Sequence, residues 1–161
     1  MNKNLEVVAG KIGGLLKAKG FKLVIAESCT GGLAAASITS IPGSSSYFDR
    51  GYVTYSNNAK TDMLNVSTLS LDKYGAVSEQ VACEMAEGAF KNGKANVSIA
   101  ITGIAGPEGG SSGKPVGTIF FAWKISGSNV VWKQKKFTGT RKSIRLQAVI
   151  YVLTELIKLL E

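Results

Sequence analysis

The 161-residue sequence predicts an α/β fold, an α/β sandwich with a mixed sheet, in one domain over residues 1–161. Three observations lead there. Apolar stripes at helical spacing alternate with short β-branched runs, the pattern of helices packed on a sheet. Residues 118–125 and 130–137 flank Ser126-Gly127-Ser128-Asn129, a hairpin signal that makes part of the sheet antiparallel. No repeat, low-complexity tract or linker divides the chain, and its length suits one domain.

Residues 4–19 carry Leu5, Val8, Ile12, Leu15 and Leu16 at steps of three and four, one helical face that Gly20 terminates. Residues 21–26, FKLVIA, form a buried strand of β-formers. The Ala-rich stretch 31–40 is helical and stops at Pro42-Gly43. Residues 47–55, YFDRGYVTY, form a strand, and 57–64 a short helix. A helix over 77–92 starts at Ser78, with Glu79 complementing its first turn and Val81, Ala82, Met85, Ala86 and Ala89 facing inward. Residues 95–102 form a strand, followed by a glycine-dense loop and the hairpin. Thr140 caps a final helix striped by Leu146, Val149, Ile150, Leu153, Leu156, Ile157 and Leu160.

Composition narrows the chemistry. Hydrophobic residues make up 45% and charged residues 19%, ordinary for a globular chain, so disorder is not expected. Two cysteines, Cys29 and Cys83, and no histidine leave no metal-ligand spacing and no disulfide framework; no metal and no cofactor are expected. No apolar run is long enough to cross a membrane, and the N-terminal residues do not read as a signal peptide, so no membrane partner and a cytoplasmic location are expected. The net charge of +8 invites a polyanion, and Lys133, Lys135, Lys136, Arg141, Lys142 and Arg145 follow one another without an acid. That patch suits nucleic acid or a single phosphate on a small molecule, and its one aromatic, Phe137, argues against single-strand stacking.

The stretch IAESCTGG, residues 25–32, places Ser28 between a strand and a helix start, where free backbone N–H groups favour an oxyanion. Gly31 and Gly32 would let a ligand approach the backbone. The plainer alternative is that Ser28 or Thr30 caps the helix. Cys29 competes as nucleophile, because a helix start lowers a thiol pKa, and ranks behind Ser28. Without histidine, the proton must go to another base. In YSNNAK, residues 55–60, Ser56 or Asn57 caps a helix and Lys60 falls in its first turn, where dipole and burial favour a neutral amine. Tyr55 could relay the proton; a solvated surface lysine beside a packed tyrosine is the alternative. The loop at 101–117, with Gly103 and Gly106, is neither a Walker A loop nor a dinucleotide fingerprint, and either wraps a ligand or is simply mobile. Arg141 and Arg145, at i, i+4 spacing in the first turns of the last helix, pay a dipole penalty that an anionic ligand would offset.

AESCTGG, PGSSSYFDRGYVTYSNNAK, GAVSEQ, ITGIAGPEGG, KPVGTIFFAW and FTGTRKSIRLQA, in this order over about residues 4–158, resemble the CinA C-terminal domain family. That family includes stand-alone nicotinamide-nucleotide amidohydrolases. The resemblance implies a three-layer α/β/α sandwich with a mixed sheet and a serine-lysine deamidation of nicotinamide mononucleotide to nicotinate mononucleotide and ammonia. It assigns catalysis to Ser28, Tyr55 and Lys60. It places Ser45 and Thr102 at the pocket with the late arginines, Arg141 and Arg145. The pyrophosphatase activity linked to the extra N-terminal domain of longer family members is not implied. The partner is thus a nucleotide, nucleic acid is disfavoured, and assembly into a homo-oligomer is an open expectation. A non-catalytic nucleotide-binding or regulatory domain of the same fold is the alternative.

Overall fold

The computed structural model describes residues 2–161, with elements α1 (Lys3–Lys19), β1 (Leu23–Glu27), α2 (Leu33–Thr39), β2 (Phe48–Val53), α3 (Asn57–Leu64), α4 (Thr68–Tyr74), α5 (Glu79–Gly93), β3 (Val97–Gly103), β4 (Thr118–Ile125), β5 (Val131–Lys136) and α6 (Arg141–Leu160). The five strands lie in the order β2-β1-β3-β4-β5. The first three are mutually parallel, β4 runs antiparallel to β3, and β5 runs antiparallel to β4. The mixed sheet of the sequence reading is therefore present.

Strand alternation builds two cores. Leu23, Ile25, Val97, Ile99, Ile101, Ile119, Phe121 and Trp123 point to α1, α2 and α6. Val24, Ala26, Ala100, Phe120 and Ala122 point to Leu64 of α3, Leu71 of α4 and the Val81–Ala89 face of α5. β1 is buried on both sides, which is why FKLVIA reads as a continuous apolar run rather than an alternating one. The Trp123 indole donates to the Val152 carbonyl of α6 at 3.0 Å, satisfying a buried polar edge. Gly88 lets α5 lie against the end of α3: a Cβ there would sit 2.0 Å from the Leu64 carbonyl oxygen.

Several boundaries move for local reasons. β1 begins two residues late because Phe21 N–H closes α1 onto Leu16 O and Lys22 N–H goes to Asn96 Oδ1. α2 begins at Leu33, not 31, because Gly31 and Gly32 have φ of +56° and +95°, which a right-handed helix cannot contain. Neither Ser28 nor Thr30 caps it; the residue at the cap position is Gly32. α4 has no counterpart in the sequence reading: its seven residues are too short to show a period. Ser67 caps it, and the Glu84 carboxylate of α5 accepts from the Ser67 N–H and the Ser70 hydroxyl. No helix of the described residues is long and apolar enough to cross a membrane.

This topology creates a site. The connection after β1 crosses one face of the sheet through α2, while that after β2 crosses the other through α3, α4 and α5. The carboxyl ends of β1, β2 and β3 meet at one sheet edge, with Glu27 level with Val53 and Ile101. Such a switch point opens a crevice beyond the strand ends.

Candidate active site

A cavity of about 270 Å³ opens at that edge. Ser28 and Cys29 come from the turn after β1, Thr102 and Gly103 from the end of β3, and Gly106 from the glycine loop. Tyr55 and Lys60 arrive from the β2–α3 segment and Arg141 from the start of α6. Residues far apart in sequence thus converge. Ala76, Val77, Asn57 and Glu108 also line the cavity and were not singled out from the sequence. Small apolar side chains carry no chemical signature, so Ala76 and Val77 were not readable in advance.

Lys60 lies in the first turn of α3, which Ser56 caps by accepting from the Ala59 N–H. Its side chain turns inward and is 1% exposed, so the solvated-surface alternative fails. Lys60 Nζ lies 3.1 Å from Ser28 Oγ, 2.9 Å from the Thr54 carbonyl and 3.5 Å from the Tyr55 carbonyl. Burial lowers its pKa below the ordinary lysine value, and the only opposing influence is Cys29. No carboxylate is salt-bridged to it among the described residues. The Cys29 thiol is itself pushed up to about 12 by burial, so it is uncharged where Lys60 titrates. A neutral amine has two N–H bonds and one lone pair. The two carbonyls take the bonds, and the lone pair is left for the serine hydroxyl.

Cys29 belongs to the apolar core under α1, α2 and α6 and is 6% exposed. Its raised pKa contradicts the lowered value expected at a helix start, because α2 starts later and its free N–H groups go elsewhere. Those groups go to Glu27, which the sequence reading missed. The Glu27 carboxylate is buried and accepts from Gly32 N–H at 3.1 Å, Ala34 N–H at 3.1 Å and Ala35 N–H at 2.9 Å. An acid just before a glycine turn and a short helix is the signal that could have revealed it.

Arg145 holds the same turn from the other side. Its Nε donates to the Cys29 carbonyl at 3.1 Å and its Nη2 to the Thr30 carbonyl at 2.6 Å. It is not among the residues lining the cavity, and its guanidinium is committed to the backbone. In a trans peptide the N–H points opposite the carbonyl of the same unit, so this pull aims the Thr30 N–H away from Arg145. The Gly31 N–H is occupied by the Ser28 carbonyl at 3.0 Å. In residues 28–35, only the Cys29 and Thr30 N–H groups have no acceptor in another residue.

Tyr55 departs from expectation. Its carbonyl, not its hydroxyl, faces Lys60, and its hydroxyl accepts from Arg141 Nη2 at 2.8 Å. A proton relay through the phenol therefore lacks its first link. Arg141 Nη1 donates to the Gly106 carbonyl at 2.7 Å, so one guanidinium ties the β2–α3 segment to the glycine loop. Thr102 is buried at the cavity wall, but its hydroxyl is used on the Ala76 carbonyl at 2.8 Å. Ser45 is not in this cavity. It is exposed and precedes the first residue of β2, at the amino ends of the parallel strands, whereas Ser28 follows the carboxyl end of β1.

The Glu27 clamp predicts a stability effect. Glu27→Ala leaves three backbone N–H groups at a buried helix start without their acceptor. Unsatisfied donors cost roughly 1–3 kcal/mol each, part of which water recovers, so about 3 kcal/mol is expected. For a chain of this size that lowers Tm by about 6–12 °C in thermal unfolding followed by circular dichroism.

The chain matches the CinA C-terminal domain over residues 5–160. It is 50% identical over 151 residues to the nicotinamide-nucleotide amidohydrolase PncC of Enterobacter agglomerans, covering 94% of this chain and 92% of that protein. To the Escherichia coli K12 protein of the same name it is 46% identical, over 96% of this chain and 94% of the relative. The crystal structure of the competence/damage inducible protein CihA from Agrobacterium tumefaciens superposes with a TM-score of 0.97 at 44% identity, covering 100% of this chain and 98% of that one. With the motifs, the sheet order and the cavity now located on the fold, the chain belongs to the CinA C-terminal domain family.

Proposed function

We propose that the chain is a nicotinamide-nucleotide amidohydrolase that converts nicotinamide mononucleotide to nicotinate mononucleotide and ammonia with a Ser28–Lys60 pair. The observation that carries this reading is the 3.1 Å approach of Lys60 Nζ to Ser28 Oγ in a buried site. The two relatives bear the name of that activity over nearly their full length.

The steps follow from the groups present. Neutral Lys60 takes the Ser28 proton as Oγ attacks the carboxamide carbon, and the electron pair of the carbonyl bond moves to oxygen. The N–H group of Cys29, at the cavity wall, and the neighbouring Thr30 N–H hold that oxyanion. The Lys60 ammonium returns its proton to the leaving amine, and ammonia departs as the acyl-enzyme forms. Water, deprotonated by Lys60, attacks the ester, and the proton returns to Ser28. Glu27 and Arg145 keep the turn in place throughout.

Arg141, already at the cavity wall, has N–H groups left for the 5′-phosphate. The basic run is not one continuous surface. Lys133 pairs with Glu155, Lys135 lies 5.5 Å over the Tyr151 ring, and the two arginines turn toward the site, which weakens the nucleic-acid reading.

Ammonia release from nicotinamide mononucleotide by the purified chain tests the proposal; ligand binding without ammonia would support a non-catalytic domain instead. Arg141→Ala is expected to raise KM for the mononucleotide about 10- to 100-fold with kcat changed far less, since a bond to a charged group contributes roughly 1.5–3 kcal/mol. The riboside, which has no phosphate, should sense the change far less, only through the lost Arg141–Tyr55 contact. Steady-state kinetics on both compounds checks this.

A further inference from the structure

Among the described residues, Tyr55 is the single aromatic residue lining the cavity, and Glu108 the single acid. Tyr55 is 60% exposed, an unusual state for so large an apolar ring. It is nevertheless held at both ends. Its carbonyl lies 3.5 Å from Lys60 Nζ, and its hydroxyl is pinned at 2.8 Å by Arg141, which is itself fixed to the Gly106 carbonyl. The hydrogen bond engages the oxygen at the ring edge, and the cations that lie over aromatic rings among the described residues are lysines over other rings. An aromatic ring held at a cavity that a carboxylate also lines suits a planar cation.

We infer that Tyr55 is the residue that selects a positively charged aromatic ring, by stacking its face on the pyridinium of the substrate. The identity of the ligand rests on the deamidase reading. N-Glycosylated nicotinamide carries a fixed positive charge on its ring; the reduced dihydropyridine form has the same size, carboxamide, ribose and phosphate but no ring charge. Stacking on Tyr55 then favours the oxidised form and places its carboxamide toward Ser28, while the phosphate reaches Arg141. The tyrosine acts through its ring, so its hydroxyl is dispensable for the chemistry.

The test uses Ser28→Ala protein, in which turnover is stopped, and measures calorimetric Kd values for oxidised and reduced nicotinamide mononucleotide. Adding Tyr55→Leu is expected to lower the preference for the oxidised form about 3- to 30-fold, the span of cation–π contributions. Adding Tyr55→Phe keeps the ring and is expected to preserve the preference within about threefold, while weakening both forms alike through the lost Arg141 contact. Tyr55 is exposed, and unchanged circular dichroism is the check that both variants fold. A Tyr55→Leu protein with the wild-type preference overturns the inference. So does a Tyr55→Phe protein that loses the preference as fully as Tyr55→Leu. With Ser28 restored, a Tyr55→Phe enzyme whose kcat falls a hundredfold at unchanged KM would return the proton-relay role to the phenol. Because the preference is read from binding, absence of ammonia release by the wild-type chain would overturn the deamidase reading and not this one.

Discussion

Ser28→Ala is expected to abolish ammonia release from nicotinamide mononucleotide, with kcat down roughly 10⁴- to 10⁶-fold, as when the nucleophile of a serine hydrolase is removed. Substrate affinity should change little, because Ser28 Oγ touches Lys60 rather than the groups assigned to phosphate or ring. Cys29→Ala is the matched control. The thiol is 6% exposed, sits in the apolar core and has a pKa of about 12, so its thiolate is scarce near neutral pH. That variant should keep most of its activity and lose about 1 kcal/mol or less of stability, as expected for a small core truncation. A dead Cys29→Ala enzyme beside an active Ser28→Ala enzyme would reverse the assignment of the nucleophile.

Lys60→Met is expected to lower kcat by a similar factor while leaving the chain folded, since methionine fills the same buried channel without a proton acceptor. It also has a stability signature whose sign is fixed. Burial holds the Lys60 pKa in the folded chain below its unfolded value of about 10.4. Between the two values the unfolded chain binds more protons, so wild-type stability rises with pH across that window. Below the lowered pKa the cost of burying the ammonium is present in full; above about 10.4 it is gone. Lys60→Met lacks this contribution. Urea unfolding at a series of pH values should therefore show the wild type gaining on Lys60→Met as pH rises. A difference that stays flat across the window would mean that Lys60 is not perturbed.

The architecture was legible because burial imposes periods. The α6 stripe places Val149, Leu153, Leu156, Ile157 and Leu160 in the core, and α5 buries Val81, Ala82, Met85, Ala86 and Ala89 as the spacing indicates. The α3 limits fall at 57 and 64 because Ser56 caps one end and Asn65, at φ +56°, closes the other. Elimination made Lys60 a candidate, because a chain without histidine directs attention to an amine near a helix start, and the family resemblance singled it out. What was not legible is direction. Arg141 and Arg145 share one helix face, yet one reaches the cavity wall and the other grips backbone carbonyls. Their spacing cannot reveal that, because the difference lies in which loops fold against the helix. Tyr55 was read as a hydroxyl, whereas the backbone turn before α3 presents its carbonyl to Lys60. Glu27 resembled an ordinary charged residue beside a conspicuous serine, and only the two left-handed glycines bring the α2 amides within its reach. Ser45 matched a motif whose place in the fold is set by strand direction, which no local string encodes.

The central claim concerns one proton, and isotope-edited NMR of the lysine Nζ and Cε nuclei can follow it, with Lys60→Met supplying the assignment. The account predicts that Lys60 titrates below the ordinary lysine value and that its midpoint matches the rise of kcat/KM for ammonia release with pH. A Lys60 signal still in the ammonium form where kcat/KM has reached its plateau would contradict it.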